Sequence, residues 1–132
     1  MLRRVNQRYR AASRARLVES GLGDLPQPGY WALMVLSRGS TEASRLIEEM
    51  GVSKQAVSKL VDILVAAGFV ERRVNDADRR RTDLLLTARG RKAVGVIEDA
   101  ARSIEDAFVA ELGTKPFADL VRMLSQLARW EG

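Results

Sequence analysis

The sequence contains no cysteine and no histidine among its 132 residues. The missing cysteine excludes disulfide bonds and thiol-based sensing. Without either residue, the chain lacks most zinc, haem and iron–sulfur ligand sets and every Ser-His or Cys-His catalytic pair. We therefore expect no metal and no cofactor. No pair of carboxylates lies on an apolar, cleft-forming face, so we also predict that the chain is not an enzyme.

Aromatic residues and long apolar runs are scarce as well. Aromatic residues make up 5% of the chain and hydrophobic residues 46%, which predicts a core of Leu, Val, Ile and Ala. The length suits a single domain over residues 1–132. No apolar run approaches the length of a membrane span, and no signal peptide heads the chain. We expect a cytoplasmic protein with no membrane partner.

Positive charge is concentrated in two segments, although the whole chain carries only +5. Residues 1–20 contain six arginines and one acid, and residues 51–95 contain ten basic and five acidic residues. Residues 96–132 are acidic, with four basic and seven acidic residues. A basic patch of this kind indicates a polyanion partner, whereas charge that serves only solubility would be spread more evenly.

Proline, glycine and capping residues divide the chain into six helices and one hairpin. Apolar residues at helical spacing predict helices at about 2–19, 29–37, 42–50, 54–67, 88–112 and 116–130. Strands are predicted at 69–74 and 82–87, around a turn at 75–81. Ser40 or Thr41 is expected to cap the third helix, Ser53 the fourth and Thr87 the fifth. The fold class is therefore mainly α with a small β-hairpin.

The third and fourth helices, joined by a turn at Gly51, have the pattern of a helix-turn-helix. One face of the fourth helix is apolar through Val57, Leu60 and Leu64, and the other face is polar and cationic near its start. Any helical hairpin can show such a pattern. The β-hairpin that follows strengthens the interpretation, because a helix-turn-helix followed by a hairpin is a winged helix.

The hairpin sequence "RRVNDADRRRTDLLLT", residues 72–87, places three adjacent arginines at the predicted tip of the wing. Such a tip can lower an arginine into the minor groove of duplex DNA, where negative potential is concentrated. The three charges repel one another, so we expect Asp76 and Asp78 to offset them, with Asp78 holding Arg80 or its neighbour. The alternative is a solvated run of charge.

Residues 52–94, "VSKQAVSKLVDILVAAGFVERRVNDADRRRTDLLLTARGRKAV", resemble the DNA-binding core of MarR-type transcriptional regulators. The family pattern L-x-x-x-G-x-V-x-R lies at 64–72, an Asp-Arg-Arg wing at 78–80, and L-T-x-x-G at 86–90. The proline common in the wing turn of the family is absent, and Asp76-Ala77 stands there instead. The resemblance implies a DNA-binding lobe at about 29–88 and a helical dimerisation region at about 1–20 and 89–132.

The resemblance also implies a homodimeric regulator of double-stranded DNA that reads a palindromic operator and acts as a repressor. The residues agree, because a fifth helix of about 25 residues is too long for one small domain to bury, and Leu120, Leu124 and Leu127 need a partner surface. The alternative is that both helices pack on their own core. Without operator specificity, the chain would be an architectural or protein- or RNA-interaction module.

Candidate DNA-binding residues follow from these positions. In the recognition helix, Gln55 suits adenine, and Lys54 or Lys59 suits guanine or phosphate. Arg80 is the first candidate for the minor groove by its position in the motif. The full set comprises Ser37, Arg38, Ser40, Thr41, Ser53, Lys54, Gln55, Ser58, Lys59, Arg72, Arg73, Asp78, Arg79, Arg80 and Arg81.

Two further expectations concern the first helices. The resemblance implies a small aromatic effector between the lobe and the dimerisation region, for which Tyr9, Tyr30, Trp31 and Met34 are candidate wall residues; ordinary core packing is the alternative. The arginines of the first helix could reach flanking DNA, or pair with acids of the fifth helix, which we favour slightly. The acids are Glu98, Asp99, Glu105 and Asp106.

Overall fold

A computed structural model describes all residues from 1 to 132 and contains six helices and one two-stranded antiparallel sheet. This order confirms the fold class, and most element bounds lie within two residues of those predicted. The elements are α1 (Leu2–Glu19), α2 (Gln27–Ser37), α3 (Ala43–Met50), α4 (Lys54–Ala66), β1 (Val70–Val74), β2 (Thr82–Leu86), α5 (Ala88–Leu112) and α6 (Thr114–Ala128).

Short-range signals account for two of the predicted helix starts. Ser53 accepts a hydrogen bond from the backbone N–H of Ala56 at 3.1 Å, and Thr87 accepts one from Gly90 at 3.0 Å. Gly51 ends α3 with φ of 63°, a left-handed conformation that favours glycine. The two hydrogen bonds and the left-handed Gly51 confirm the predicted turn of the helix-turn-helix and the start of α5.

The predicted cap of α3 is wrong. The capping position is Glu42, not Ser40 or Thr41, and no side chain forms a cap hydrogen bond there. The backbone of Thr41 instead contacts β2, where its carbonyl accepts a hydrogen bond from the N–H of Leu84 at 2.9 Å. The last helix also begins earlier than predicted, at Thr114, with Pro116 inside its first turn, where the N–H that proline lacks would have no helical partner.

The core lies between α2, α4, the base of the hairpin and the first half of α5. The most deeply buried large side chains include Leu33, Leu46, Leu64 and Phe69. In the hairpin, Val70 pairs in register with Leu86, and Arg72 with Leu84. Val70 and Leu84 are buried while the rest of β1 is exposed, so the apolar base of the wing is anchored and its tip projects.

The far end of α5 and all of α6 stand apart from this core. No residue of α6 is buried, and the ring centroids of Phe108 and Phe117, 5.8 Å apart, join the two helices. The exposed apolar side chains of this region are Leu112, Leu120, Val121, Met123, Leu124, Leu127 and Trp130. None of the helices is both long enough and apolar enough to cross a membrane.

Candidate functional site

The outer face of α4 carries the side chains expected to read DNA. Lys54, Gln55, Ser58 and Lys59 are all exposed, because the opposite face is buried through Val57 and its apolar neighbours. Ser53 is exposed too, with its hydroxyl engaged in the cap. The structure therefore gathers the five candidates at the start of one helix, on a face that no other element covers.

Side-chain hydrogen bonds set the turn of the wing, which contains no proline. Asn75 Oδ1 accepts from the backbone N–H groups of Ala77 and Asp78, both at 2.9 Å. Asp78 Oδ1 accepts from the backbone N–H of Arg80 at 3.0 Å. Arg79 and Arg80 are exposed, and neither forms an ion pair in the chain. Two unpaired cations are thus presented at an ordered tip.

The expected pairing of Asp76 and Asp78 with the arginines is wrong. Neither carboxylate forms an ion pair, and Asp78 orders the tip through the backbone of Arg80 because its side chain closes the turn. The third arginine instead turns back toward α3. Arg81 forms ion pairs with Glu42 at 2.9 Å and Asp83 at 3.1 Å. A hydrogen bond from Asn75, with the nearby Arg81 charge, lowers the pKa of Asp83.

The cations at the base of the wing are also paired. Arg72 binds Asp62 of α4, and Arg73 binds Glu71 at 2.8 Å. Since these arginines already have carboxylate partners, a phosphate would compete for them. Only Arg79 and Arg80, among the five wing arginines predicted to contact DNA, lack such a partner.

The segment before α3 contains the remaining candidates for DNA contact. Ser37 donates its hydroxyl hydrogen to the carbonyl of Met34 at 2.7 Å, and the guanidinium of Arg38 lies 5.3 Å from the ring centroid of Trp31. Ser40 and Thr41 are half-buried beside the wing. Glu42 carries negative charge at the start of α3, so this helix end is less favourable to a DNA phosphate than an uncharged helix N-terminus would be.

All four predicted effector residues line one open cavity of about 670 Å³ between α1, α2, the end of α3 and α5. Tyr30 is buried and belongs to the core, whereas Trp31 is 44% exposed. Burial, then the charge of Glu105 and a hydrogen bond to it, raise the pKa of Tyr9. The polar lining residues are Asn6, Tyr9, Arg10, Ser13, Gln27 and Glu49. The cavity thus combines aromatic walls with neutral hydrogen-bonding groups, one cationic side chain (Arg10) and one anionic side chain (Glu49).

Residues 24–81, which include the helix-turn-helix and the wing to its tip, match the MarR family model. The matched part of the chain is therefore similar to the MarR family. Among curated proteins, the chain is 33% identical over 85 residues to the uncharacterized HTH-type transcriptional regulator YfiV of Bacillus subtilis strain 168, covering 58% of this chain. The chain spans 53% to 63% of the lengths of the curated relatives that it matches.

Solved structures resemble the chain over nearly its whole length. It is 28% identical to the Mycobacterium tuberculosis MarR family protein Rv2887 in complex with p-aminosalicylic acid, with a TM-score of 0.67 and coverage of 96% of this chain and 95% of that one. The transcriptional repressor CouR, bound to a 23-mer DNA duplex, is 21% identical, with a TM-score of 0.74 and coverage of 97% and 89%. The CouR likeness concerns the fold alone.

Several residues that shape these two sites were not predicted from the sequence. Glu42, the partner of Arg81, lies far from it in sequence, and no local pattern joins the two. In the cavity, Asn6 and Arg10 of α1 and Glu49 of α3 were missed, because the sequence alone does not show which faces of these helices meet. The arginines of α1 form no ion pair within the chain, and Arg16 donates to the hydroxyl of Ser103. No arginine of α1 therefore forms an ion pair with an acid of α5 within the chain.

Proposed function

We propose that the chain is a transcriptional regulator that binds double-stranded DNA as a homodimer. The observation that supports this most directly is that one small lobe presents both an uncovered polar face on α4 and two arginines without ion-pair partners at the wing tip. The α4 face has the size and hydrogen-bonding groups for the major groove, and the arginines suit the adjacent minor groove. CouR, which has the same fold, has been solved on a DNA duplex.

The homodimer is proposed from the helices outside the lobe. α6 buries none of its side chains, and its exposed leucines continue the apolar stripe of the distal part of α5. A second copy that covers this surface would remove it from water. Two lobes related by a two-fold axis would read an inverted repeat with half-sites about one helical turn apart.

Selection of random duplex DNA by the purified protein, followed by sequencing, tests this function. We expect an inverted repeat, and we expect Arg80→Ala to bind more weakly and to lose preference mainly at flanking A·T positions. Arg102→Ala removes the same charge from an exposed site on α5 and serves as the control. Enrichment of no sequence would favour an architectural or RNA-directed module, and failure to bind DNA would contradict the proposal.

We further propose that the regulator is a repressor released by a small aromatic acid bound in the 670 Å³ cavity. The support is its wall of Tyr9, Tyr30, Trp31 and Met34 with Arg10 at its lining. Rv2887, whose structure contains p-aminosalicylic acid, is a relative of the same fold. Titration of aromatic carboxylates into a Trp130→Phe variant, which leaves Trp31 as the only tryptophan, should change the fluorescence saturably. An acid that binds Trp31 but leaves DNA affinity and reporter repression unchanged would contradict the proposed release.

A further inference from the structure

Arg81 differs from the two arginines before it in where its guanidinium lies. Nη1 forms an ion pair with Glu42 at 2.9 Å, Nε with Asp83 at 3.1 Å, and Nη2 donates to the hydroxyl of Thr41 at 3.2 Å. Every nitrogen of the group therefore has a partner within the lobe. We name these four residues, Arg81, Thr41, Glu42 and Asp83, the Arg81 cluster.

The Arg81 cluster joins two parts of the lobe that are distant in sequence. Thr41 and Glu42 precede α3, whereas Arg81 and Asp83 belong to the returning side of the wing, about 40 residues later. The backbone N–H of Leu84 donates to the carbonyl of Thr41 at 2.9 Å and continues the same junction. Asn75 donates to Asp83 at 2.8 Å, which couples the wing turn to the cluster.

We infer that Arg81 is a positioning residue that holds the wing against the start of α3, and that it does not itself contact DNA. The inference rests on the proposed DNA-binding function, since Arg81 would set the distance between the wing tip and the face of α4 that is proposed to read DNA. α3 is joined to α4 through the Gly51 turn, so an anchor at the start of α3 also orients α4 relative to Arg79 and Arg80. A fixed offset allows one protein to read both grooves at a defined spacing.

The chemistry of the cluster supports positioning over phosphate binding. A phosphate that approached Arg81 would meet the carboxylates of Glu42 and Asp83, and like charges in contact repel. Arg79 and Arg80 have no acidic partner and carry no such penalty. The planar guanidinium reaches three partners at once, a geometry that a lysine ammonium on its flexible stem cannot reproduce.

The first experiment needs no DNA. Amide hydrogen exchange at residues 79–84 is measured for the wild type, Arg81→Gln, Glu42→Gln and the double variant. We expect each single change to speed exchange by about two- to tenfold, as befits a partly exposed ion-pair network, and the double variant to add little more. Arg79→Gln is the matched control and should leave exchange unchanged. Equal exchange in all variants would overturn the inference.

The second experiment measures the salt dependence of binding to the selected operator. Arg80→Gln should reduce the log–log slope by about 0.9, the value for one lost phosphate contact, whereas Arg81→Gln should lower affinity and keep the slope. Arg81→Lys should behave like Arg81→Gln if the cluster positions the wing. A slope reduced by about 0.9 in Arg81→Gln and restored in Arg81→Lys would overturn the inference. A wild type that binds no DNA would instead overturn the proposed function, and amide exchange alone would then decide whether Arg81 holds the wing.

Discussion

Arg89 and Asp24 form a two-pronged ion pair, with hydrogen bonds of 2.7 and 3.0 Å between residues that lie 65 positions apart. The same guanidinium donates to the carbonyl of Ala67 and lies 4.2 Å from the ring centroid of Phe69. One side chain at the start of α5 thus contacts the α1–α2 loop, the end of α4 and the base of the wing. It joins the lobe that contains the helix-turn-helix and the wing to the long helix that leaves it.

Arg89→Ala should lower the free energy of unfolding by about 1–2 kcal/mol, because it removes the ion pair, a carbonyl hydrogen bond and the contact with the Phe69 ring. Chemical denaturation at neutral pH measures this change. Lys92→Ala, one turn further along α5, is the control and should alter stability little. Equal effects of the two substitutions would show that the Asp24–Arg89 pair contributes no more than surface charge.

The same pair should make stability depend on acid. The hydrogen bond from Arg89 lowers the pKa of Asp24 below its usual value. A carboxyl group with a lowered pKa in the folded state stabilises the fold above its unfolded pKa of about 3.9, and this contribution is lost as pH falls through the folded value. The free energy of unfolding should therefore decrease less between pH 5 and pH 2 for Asp24→Asn than for the wild type, as measured by denaturation at each pH. An equal decrease in the two proteins would contradict the assignment.

Gly90 and Gly95 should respond in opposite directions to the same substitution. A Cβ at Gly90 would lie 2.1 Å from the carbonyl oxygen of Phe69, whereas one at Gly95 would meet no atom within 4 Å. Gly90→Ala should therefore destabilise the protein by about 1–3 kcal/mol or more, since the backbone of the wing base must shift. Gly95→Ala should stabilise α5 by about 0.5–1 kcal/mol. Thermal unfolding of both variants tests the pair, and a stable Gly90→Ala would show that the junction can relax.

Gln55→Ala should change base preference at one position of each half-site. Its exposed amide at the start of α4 can form two hydrogen bonds with adenine, and such a contact discriminates by about 1–3 kcal/mol. Competition binding with operators mutated one base pair at a time measures the change. Gln7→Ala, exposed on α1, is the control. An unchanged preference would place Gln55 outside the reading face.

Leu124→Asp should weaken self-association, because it puts a charge into the exposed apolar surface of α6. The neighbouring Ser125→Asp adds the same charge at an exposed polar site and should not. Sedimentation at several protein concentrations distinguishes the two variants. If Leu124→Asp self-associates as strongly as the wild type, the proposed location of the dimer interface on α6 is wrong.

The elements predicted well from the sequence are those set by local chemistry. Ser53 and Thr87 cap the helices that they precede, and Gly51 ends α3, because each contact spans three or four residues. The orientation of the Arg81 side chain was not predictable. Its partner Glu42 becomes a neighbour only when the hydrogen bond from Leu84 to Thr41 brings β2 beside the segment before α3. The wing turn was identified. Asp78 does hold Arg80, but through the backbone N–H and not through the expected ion pair, because a carboxylate in a tight turn can bond a backbone N–H before it reaches a side chain.

The absence of any buried residue in α6 has a thermodynamic consequence. A helix of 15 residues whose main contact with its own chain is the half-buried Phe117 gains little from that chain and is marginal in water. Its order then depends on the surface that covers it, and with a second copy in that place the midpoint of unfolding rises with protein concentration by mass action. The amount of folded protein would then vary more steeply than the amount synthesised, so a cell that makes few copies would have a smaller folded fraction.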